Sequence, residues 1–211
     1  LARQGTISLL TIVLNRTLFQ YGNEVAVAMY GIINRVMMFA NFPVLGITQG
    51  FMPIVGYNYG AGKPERVRSI INYSIRSGTV ISLGLFAGIL FFAGPIVSIF
   101  TNDPELISQT PRALMLSFLA VPLITAQLVS SAYFQAIGKA WPALILTLTK
   151  QGFFLIPFVL ILPHFFGLDG VWYAFPVSDV LAVAVTYGYL RYELGRKAPY
   201  EVEIAQASGG D

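Results

Sequence analysis

The chain has 211 residues, of which 55% are hydrophobic and only 11% charged, with a mean hydropathy of +0.68, whereas an ordinary soluble domain carries about 25% charged residues. Thirteen Lys and Arg with ten Asp and Glu cannot cover a water-facing surface, so lipid must replace water as the main solvent, and a soluble enzyme is excluded. Disorder and collagen are excluded by composition. The lack of Cys excludes a disulfide frame or a Cys-based metal site, and His164 alone cannot form a His cluster. The net charge of +3 is small and its basic residues are spread along the chain, which gives nucleic-acid binding no support. Leu1 opens the chain with neither an initiator Met nor a signal-peptide pattern, and we read it as a cut and the chain as a fragment.

Charge-free runs mark the elements, because one bilayer crossing needs about 20 mostly apolar residues and a charge at its centre costs several kcal/mol. The first helix is predicted over 5–22, interrupted only by Asn15 and Arg16 and ended by Tyr21-Gly22-Asn23. A second follows over 25–55, and Gly60-Ala61-Gly62 breaks it. Pro64 then opens a short interfacial helix to Tyr73, alternating Arg66 and Arg68 with Val67, Ile70 and Ile71. The third crossing is predicted over 74–100. Thr101-Asn102-Asp103-Pro104 caps another short helix, and a fourth crossing covers 112–137. The fifth spans 140–163 with Lys150 inside it, and the sixth 170–191 with Asp179 inside it. Pro43, Pro122, Pro157 and Pro176 fall within spans, where they mark bends. The tail over 192–211 is polar and reads as an unfolded cytoplasmic segment. His164 reads as an interfacial histidine beside Phe165 and Phe166.

The expected fold is therefore an all-α polytopic transmembrane bundle of six helices. Counting Lys and Arg on alternating sides puts Arg3, Lys63, Arg66, Arg68, Arg76, Lys139, Arg191, Arg196 and Lys197 on one side and only Arg112 on the other. That bias predicts both termini to be cytoplasmic. The inner loop from Pro53 to Arg68 has glycines ahead of a basic helix start. It lacks the strand and the Gly-Lys-Ser/Thr ending of a P-loop, so ATP binding is rejected. No catalytic constellation is present: there is no second His, no paired intramembrane carboxylates and no Gly-x-Ser-x-Gly.

That loop, Gly56-Tyr57-Asn58-Tyr59-Gly60-Ala61-Gly62 with its basic helix, resembles the loop joining the second and third helices of the carboxyl-terminal lobe in multidrug and toxic compound extrusion (MATE) transporters. Val13-Leu14-Asn15-Arg16 and Ala28-Met29-Tyr30-Gly31-Ile32-Ile33-Asn34-Arg35 resemble the first two helices of that lobe. Gln135-Ala136-Ile137-Gly138-Lys139 resembles its fourth-to-fifth turn, and Gly167 to Trp172 with Phe175 to Asp179 the entry to its last helix. The resemblance covers about Leu1 to Arg191. It implies half of a cation-coupled antiporter in the bacterial inner membrane, without a cofactor, exporting an amphipathic, drug-like cation by alternating access. It also implies Na⁺ or H⁺ as coupling ion and an amino-terminal six-helix lobe as partner. Asn15 stands where some members carry a coupling acid in the first helix, and the fourth helix offers Gln127 in place of an acid, which moves the main coupling carboxylate to the other lobe. Two other functions stay open: a flippase or exporter of a lipid-linked saccharide, and a membrane scaffold subunit without transport.

Four ionisable groups inside spans are candidates for coupling or charge pairing: Arg16, Arg35, Lys150 and Asp179. At about 1.5 Å per residue the last three each lie roughly 15 Å from their helix starts, at one depth. Asp179 can pair with Arg35 or Lys150, either as a fixed ion pair or as a proton or cation relay. Candidate cavity-lining residues follow helical spacing: Asn15, with Ser8 and Thr11, on the first helix; Asn34, Met37, Met38 and Asn41, with Thr48, on the second; Gln127 and Gln135, with Ser131, on the fourth; Gln151 and Phe154 beside Lys150 on the fifth. Such residues serve equally well as interhelical hydrogen-bonding groups.

Overall fold

The computed structural model describes the backbone of residues 2–208 and the side chains of residues 5–195. The side chains of Arg3, Arg196 and Lys197, counted above toward the basic side, lie outside that range, as do Leu1 and residues 209–211 entirely. Every element among the described residues is helical. In chain order they are α1 (Ala2–Gly60), α2 (Pro64–Phe100), α3 (Pro104–Ser117), α4 (Val121–Ala136), α5 (Ala140–Leu148), a π-helical stretch (Thr149–Leu155), α6 (Ile156–Ile161), α7 (Pro163–Phe166) and α8 (Leu168–Ser208).

Asn23 interrupts α1 with φ 58° and ψ −158°, a region that glycine occupies freely and other residues enter at a cost of about 1–3 kcal/mol. The first limb of α1 (2–22) and the second (24–60) run in opposite directions, as their neighbours show. Thr6 of the first limb lies by Gly152 and Tyr21 meets His164 ring to ring, so that limb ascends alongside the fifth crossing. Gly22 abuts Leu168 and Tyr30 stacks on Phe175, so the second limb descends alongside α8. A Cβ on Gly22 would fall 2.6 Å from Ala26 Cβ and 2.8 Å from Leu168 Cδ2; glycine is what lets the reversal close against the start of α8. Four helical stretches are long and apolar enough to cross a membrane, and the bent pair α3–α4 makes a fifth. The reversal in α1 divides one of these into two, giving six passes.

Proline shapes three of the crossings. Pro95 cannot donate to the preceding turn, and α2 is kinked nearby at Phe92, with φ −122° and ψ 19°. Pro122 likewise leaves the Phe118 carbonyl without its helical donor, and α3 and α4 meet there at 48°. In the fifth crossing the Ile156 N–H donates to the Gln151 carbonyl, five residues back, and Pro157 removes the next donor. The turns are therefore widened from Thr149 to Leu155.

The boundaries differ from expectation in three places. The interfacial helix from Pro64 is continuous with the third crossing, since no breaker separates Tyr73 from Ser74 and Val67, Ile71 and Ser74 are buried along one face. The fourth crossing begins as α3 at Pro104, where the Asp103 carboxylate accepts from the Glu105 N–H at 2.8 Å and caps the helix. The tail, read as unfolded, continues α8 as helix to Ser208; Glu193 is buried and Leu194 accepts a hydrogen bond from Arg68, which ties its first turn down.

Packing falls into two apolar clusters. One holds Leu14, Leu18, Ile33, Leu114, Phe118, Val159 and Trp172 toward the Asn23 end. The other holds Val55, Ile71, Tyr133, Phe134, Leu146 and Leu190 toward the opposite end. Along the helices that pass through both, buried polar residues separate the clusters: Thr48, Ser82, Thr125, Gln127, Thr149, Ser178 and Asp179. Ser82 and Thr125 hydroxyls pair at 3.1 Å beside Gly78, whose missing Cβ would lie 2.3 Å from Thr125 Cγ2. Small residues bring α2 and α4 close, which matters because in lipid association rests on close packing and interhelical hydrogen bonds.

Candidate functional site

Within the polar layer lies one ion pair. Lys150 sits at the second position of the widened turns and Asp179 eleven residues into α8; Lys150 Nζ is 2.6 Å from Asp179 Oδ1, with side chains 22% and 3% exposed. Each charge would be costly alone at that depth, and a direct contact offsets the loss of solvent for both. Of the two partners open to Asp179 from sequence, the structure selects Lys150. Arg35 and Arg16 are exposed, and among the described residues neither enters an ion pair.

The proposed cavity residues divide by exposure. Asn15, Asn34, Met38 and Gln135 are exposed, while Met37, Asn41, Gln151 and Phe154 are half-buried. Gln127 is placed differently from the others, packed inside α4 at 5% exposure. On α1 the exposed positions combine polar and charged groups with large apolar ones: Asn15 and Arg16 on the first limb, then Asn34, Arg35, Met38 and Phe42 on the second. The exposed face of α2 from Val80 to Ile99 contrasts with this, being Val80, Ile81, Leu83, Leu90, Phe91, Phe92 and Ile99. The exposed side chains of α2 there are lipid-like, whereas α1 mixes such residues, Leu9, Ile12, Phe19, Phe39 and Leu45 among them, with polar and charged ones.

Two further ion pairs brace the ends. Arg112 at the Asn23 end reaches Asp169 at 2.6 Å, both partly exposed, a surface contact worth at most about 1 kcal/mol. Lys139, in the turn after α4, pairs with the buried Glu193 of α8. Sequence reasoning set Arg112 apart as the one basic residue on its side without assigning it a partner. The π-helical stretch carrying Lys150 was missed: Pro157 marks a bend in this span without showing that the turns before it widen. Among the described residues no cluster of three metal-ligating side chains occurs.

Comparison with known proteins follows the same lines. The family model MatE matches residues 3–161. The multidrug export protein MepA of Staphylococcus aureus (strain MSSA476) is 29% identical over 170 residues, covering 81% of this chain and 37% of MepA. The chain thus spans less than half the length of the curated relatives it matches. Two solved structures of a multidrug resistance MATE family transporter of the MOP superfamily, one outward-facing and one inward-facing, each superpose with a TM-score of 0.87 at 26% identity. They cover 92% and 90% of this chain, and in both cases 44% of the transporter.

Proposed function

Because the chain belongs to the MatE family, we propose that it is one six-helix lobe of a secondary transporter that exports amphipathic organic cations across a bacterial inner membrane. Export is coupled to inward flow of Na⁺ or H⁺, and the second lobe is an amino-terminal bundle of similar size. Both termini of the chain are cytoplasmic in this reading, supported by the nine basic residues on their side. The observation that carries it is the mixed outward face of α1. The exposed Asn15, Asn34 and Arg35 are poor lipid contacts, and with the exposed Met38 and the half-buried Met37 and Asn41 beside them they are good lining for a water-filled cleft against another lobe. Methionine repacks around varied ligands, and Phe42 and Phe154 offer ring faces to an organic cation.

Alternating access finds support in the equal superposition on outward- and inward-facing relatives. A lobe that fits both states alike favours movement between lobes over rearrangement within one. Lys150–Asp179 then serves as a fixed brace within the lobe, and the coupling carboxylate belongs to the partner lobe. A second reading is favoured by one observation, the exposed Arg16 and Arg35, which enter no ion pair among the described residues. A cleft carrying them suits an anionic, lipid-linked saccharide better than a cation.

Efflux of a fluorescent organic cation from cells expressing the two-lobe protein separates these readings, with Na⁺ and H⁺ gradients collapsed in turn. Gradient-dependent efflux that falls at least about tenfold in Asn34→Leu, at unchanged membrane levels, is expected. Wild-type cells without cation efflux would overturn the exporter and favour the flippase.

A further inference from the structure

A crevice of about 350 Å³ opens between α2 and α8 at the end opposite Asn23. Ile71 and Leu190, at 2% and 0% exposure, form its floor, and Arg68, Asn72, Tyr187 and Arg191 stand around it. Arg191 directly follows the apolar run of α8, and Arg68 and Asn72 precede the charge-free run of α2 that starts at Ser77. Two independent helices therefore set the crevice at the edge of the hydrocarbon, with an apolar base toward the membrane core and cationic walls toward the headgroups.

Both guanidinium groups are held in place, and among the described residues by uncharged partners. Arg68 donates to the Leu194 carbonyl at 2.6 Å, which leaves its other N–H groups free to turn outward. Arg191 rests over the Tyr187 ring, 5.8 Å from its centroid. The carboxylate closest in sequence to Arg191, Glu193, is buried and engaged by Lys139; the one closest to Arg68, Glu65, is exposed, and among the described residues no ion pair includes Glu65, Arg68 or Arg191. Asn72 adds an amide that can donate or accept.

We propose that this crevice binds an anionic phospholipid of the surrounding leaflet, its phosphate held by Arg68 and Arg191 and its acyl chain laid over Ile71 and Leu190. Fixed guanidinium groups match the bidentate geometry of a phosphate. The apolar floor gives an occupant with a hydrocarbon tail contacts that a free anion cannot make. Such a lipid bridges α2 and α8 where Arg68 already joins them.

The test titrates the detergent-solubilised protein with short-chain phosphatidylglycerol, phosphatidylcholine or inorganic phosphate, reading affinity from the rise in unfolding temperature. Arg68→Gln with Arg191→Gln is expected to weaken phosphatidylglycerol binding about twentyfold. Arg66→Gln, exposed on α2 outside the crevice, is expected to leave it within twofold. Equal affinity for phosphatidylcholine, or an equal loss in Arg66→Gln, would overturn the proposal in favour of general surface charge. Displacement of phosphatidylglycerol by equimolar phosphate would overturn it in favour of a free-anion site. Should the double variant fail to fold, a photoreactive phosphatidylglycerol on the wild-type protein decides: crosslinks at α2 and α8 around Asn72 and Tyr187 support the site, and crosslinks scattered over the bundle overturn it.

Discussion

Removing the two members of the Lys150–Asp179 pair should have unequal costs. Lys150→Met leaves a carboxylate with 3% side-chain exposure facing no cation, whereas Asp179→Asn leaves an ammonium on a side chain that is 22% exposed and long enough to turn toward solvent. Breaking a fully buried pair costs about 3–5 kcal/mol, so Lys150→Met should lose about 3 kcal/mol. Partial exposure discounts the Asp179→Asn loss to about 1–2 kcal/mol. For a chain of this size about 2–4 °C accompanies each kcal/mol. Thermal unfolding in lipid nanodiscs, followed by circular dichroism, should thus show drops of about 6–12 °C and about 2–8 °C. The double variant Lys150→Met/Asp179→Asn leaves no charge behind and should return to within about 1 kcal/mol of wild type, a strong positive coupling. Additive losses, or a larger loss for Asp179→Asn, would refute the brace. Efflux adds the functional arm: a fixed brace predicts that the stable double variant still transports, and a stable but inactive double variant would make the pair part of coupling.

Gly78→Val should lower the unfolding temperature by forcing α2 from α4, at about 1–3 kcal/mol; Thr125→Ser, which removes the Cγ2 methyl that a Cβ at position 78 would meet at 2.3 Å, should recover much of the loss in Gly78→Ala, and a cycle without coupling would contradict the crossing geometry. Asn23→Gly should raise stability by about 1 kcal/mol, because glycine relieves the φ 58° conformation; an unchanged or lower unfolding temperature would count against a strained reversal. Lys139→Gln removes the cation that faces the buried Glu193 and should cost about 2–3 kcal/mol, partly recovered by Glu193→Gln, as read by the same unfolding assay.

Turns were the most legible part of the sequence. Gly60-Ala61-Gly62, Gly138 and Gly167 end helices because positive φ at Gly62, Gly138 and Gly167 is open to glycine, and Asn23 was found through its place beside Gly22. Helix continuity was less legible. Arg66 and Arg68 read as an interfacial helix distinct from the third crossing, yet backbone hydrogen bonds carry on through Tyr73 because no residue there prevents them. At the site, depth arithmetic brought Asp179, Arg35 and Lys150 to one level but could not say which face each helix turns inward. That choice depends on packing: Ile32, Ile33 and Val36 fill the buried side of α1 and leave Arg35 outside. Gln127 shows the same limit, since helical spacing placed it in a stripe without showing that α4 is enclosed by α1, α2 and α8.

The widened turns from Thr149 to Leu155 also bear on how this crossing tolerates change in length. In an ordinary α-helix, losing one residue rotates everything beyond it by about 100° and turns a packed face outward, which is why single deletions in membrane helices are so damaging. A π-helical turn already contains an extra residue. Loss of Gly152 would let the segment relax into regular α-helix while Leu146 and Val159 kept their places on either side. The chain thus carries slack of about one residue next to its buried charge pair, and a length change there alters the aim of Lys150 before it alters the bundle.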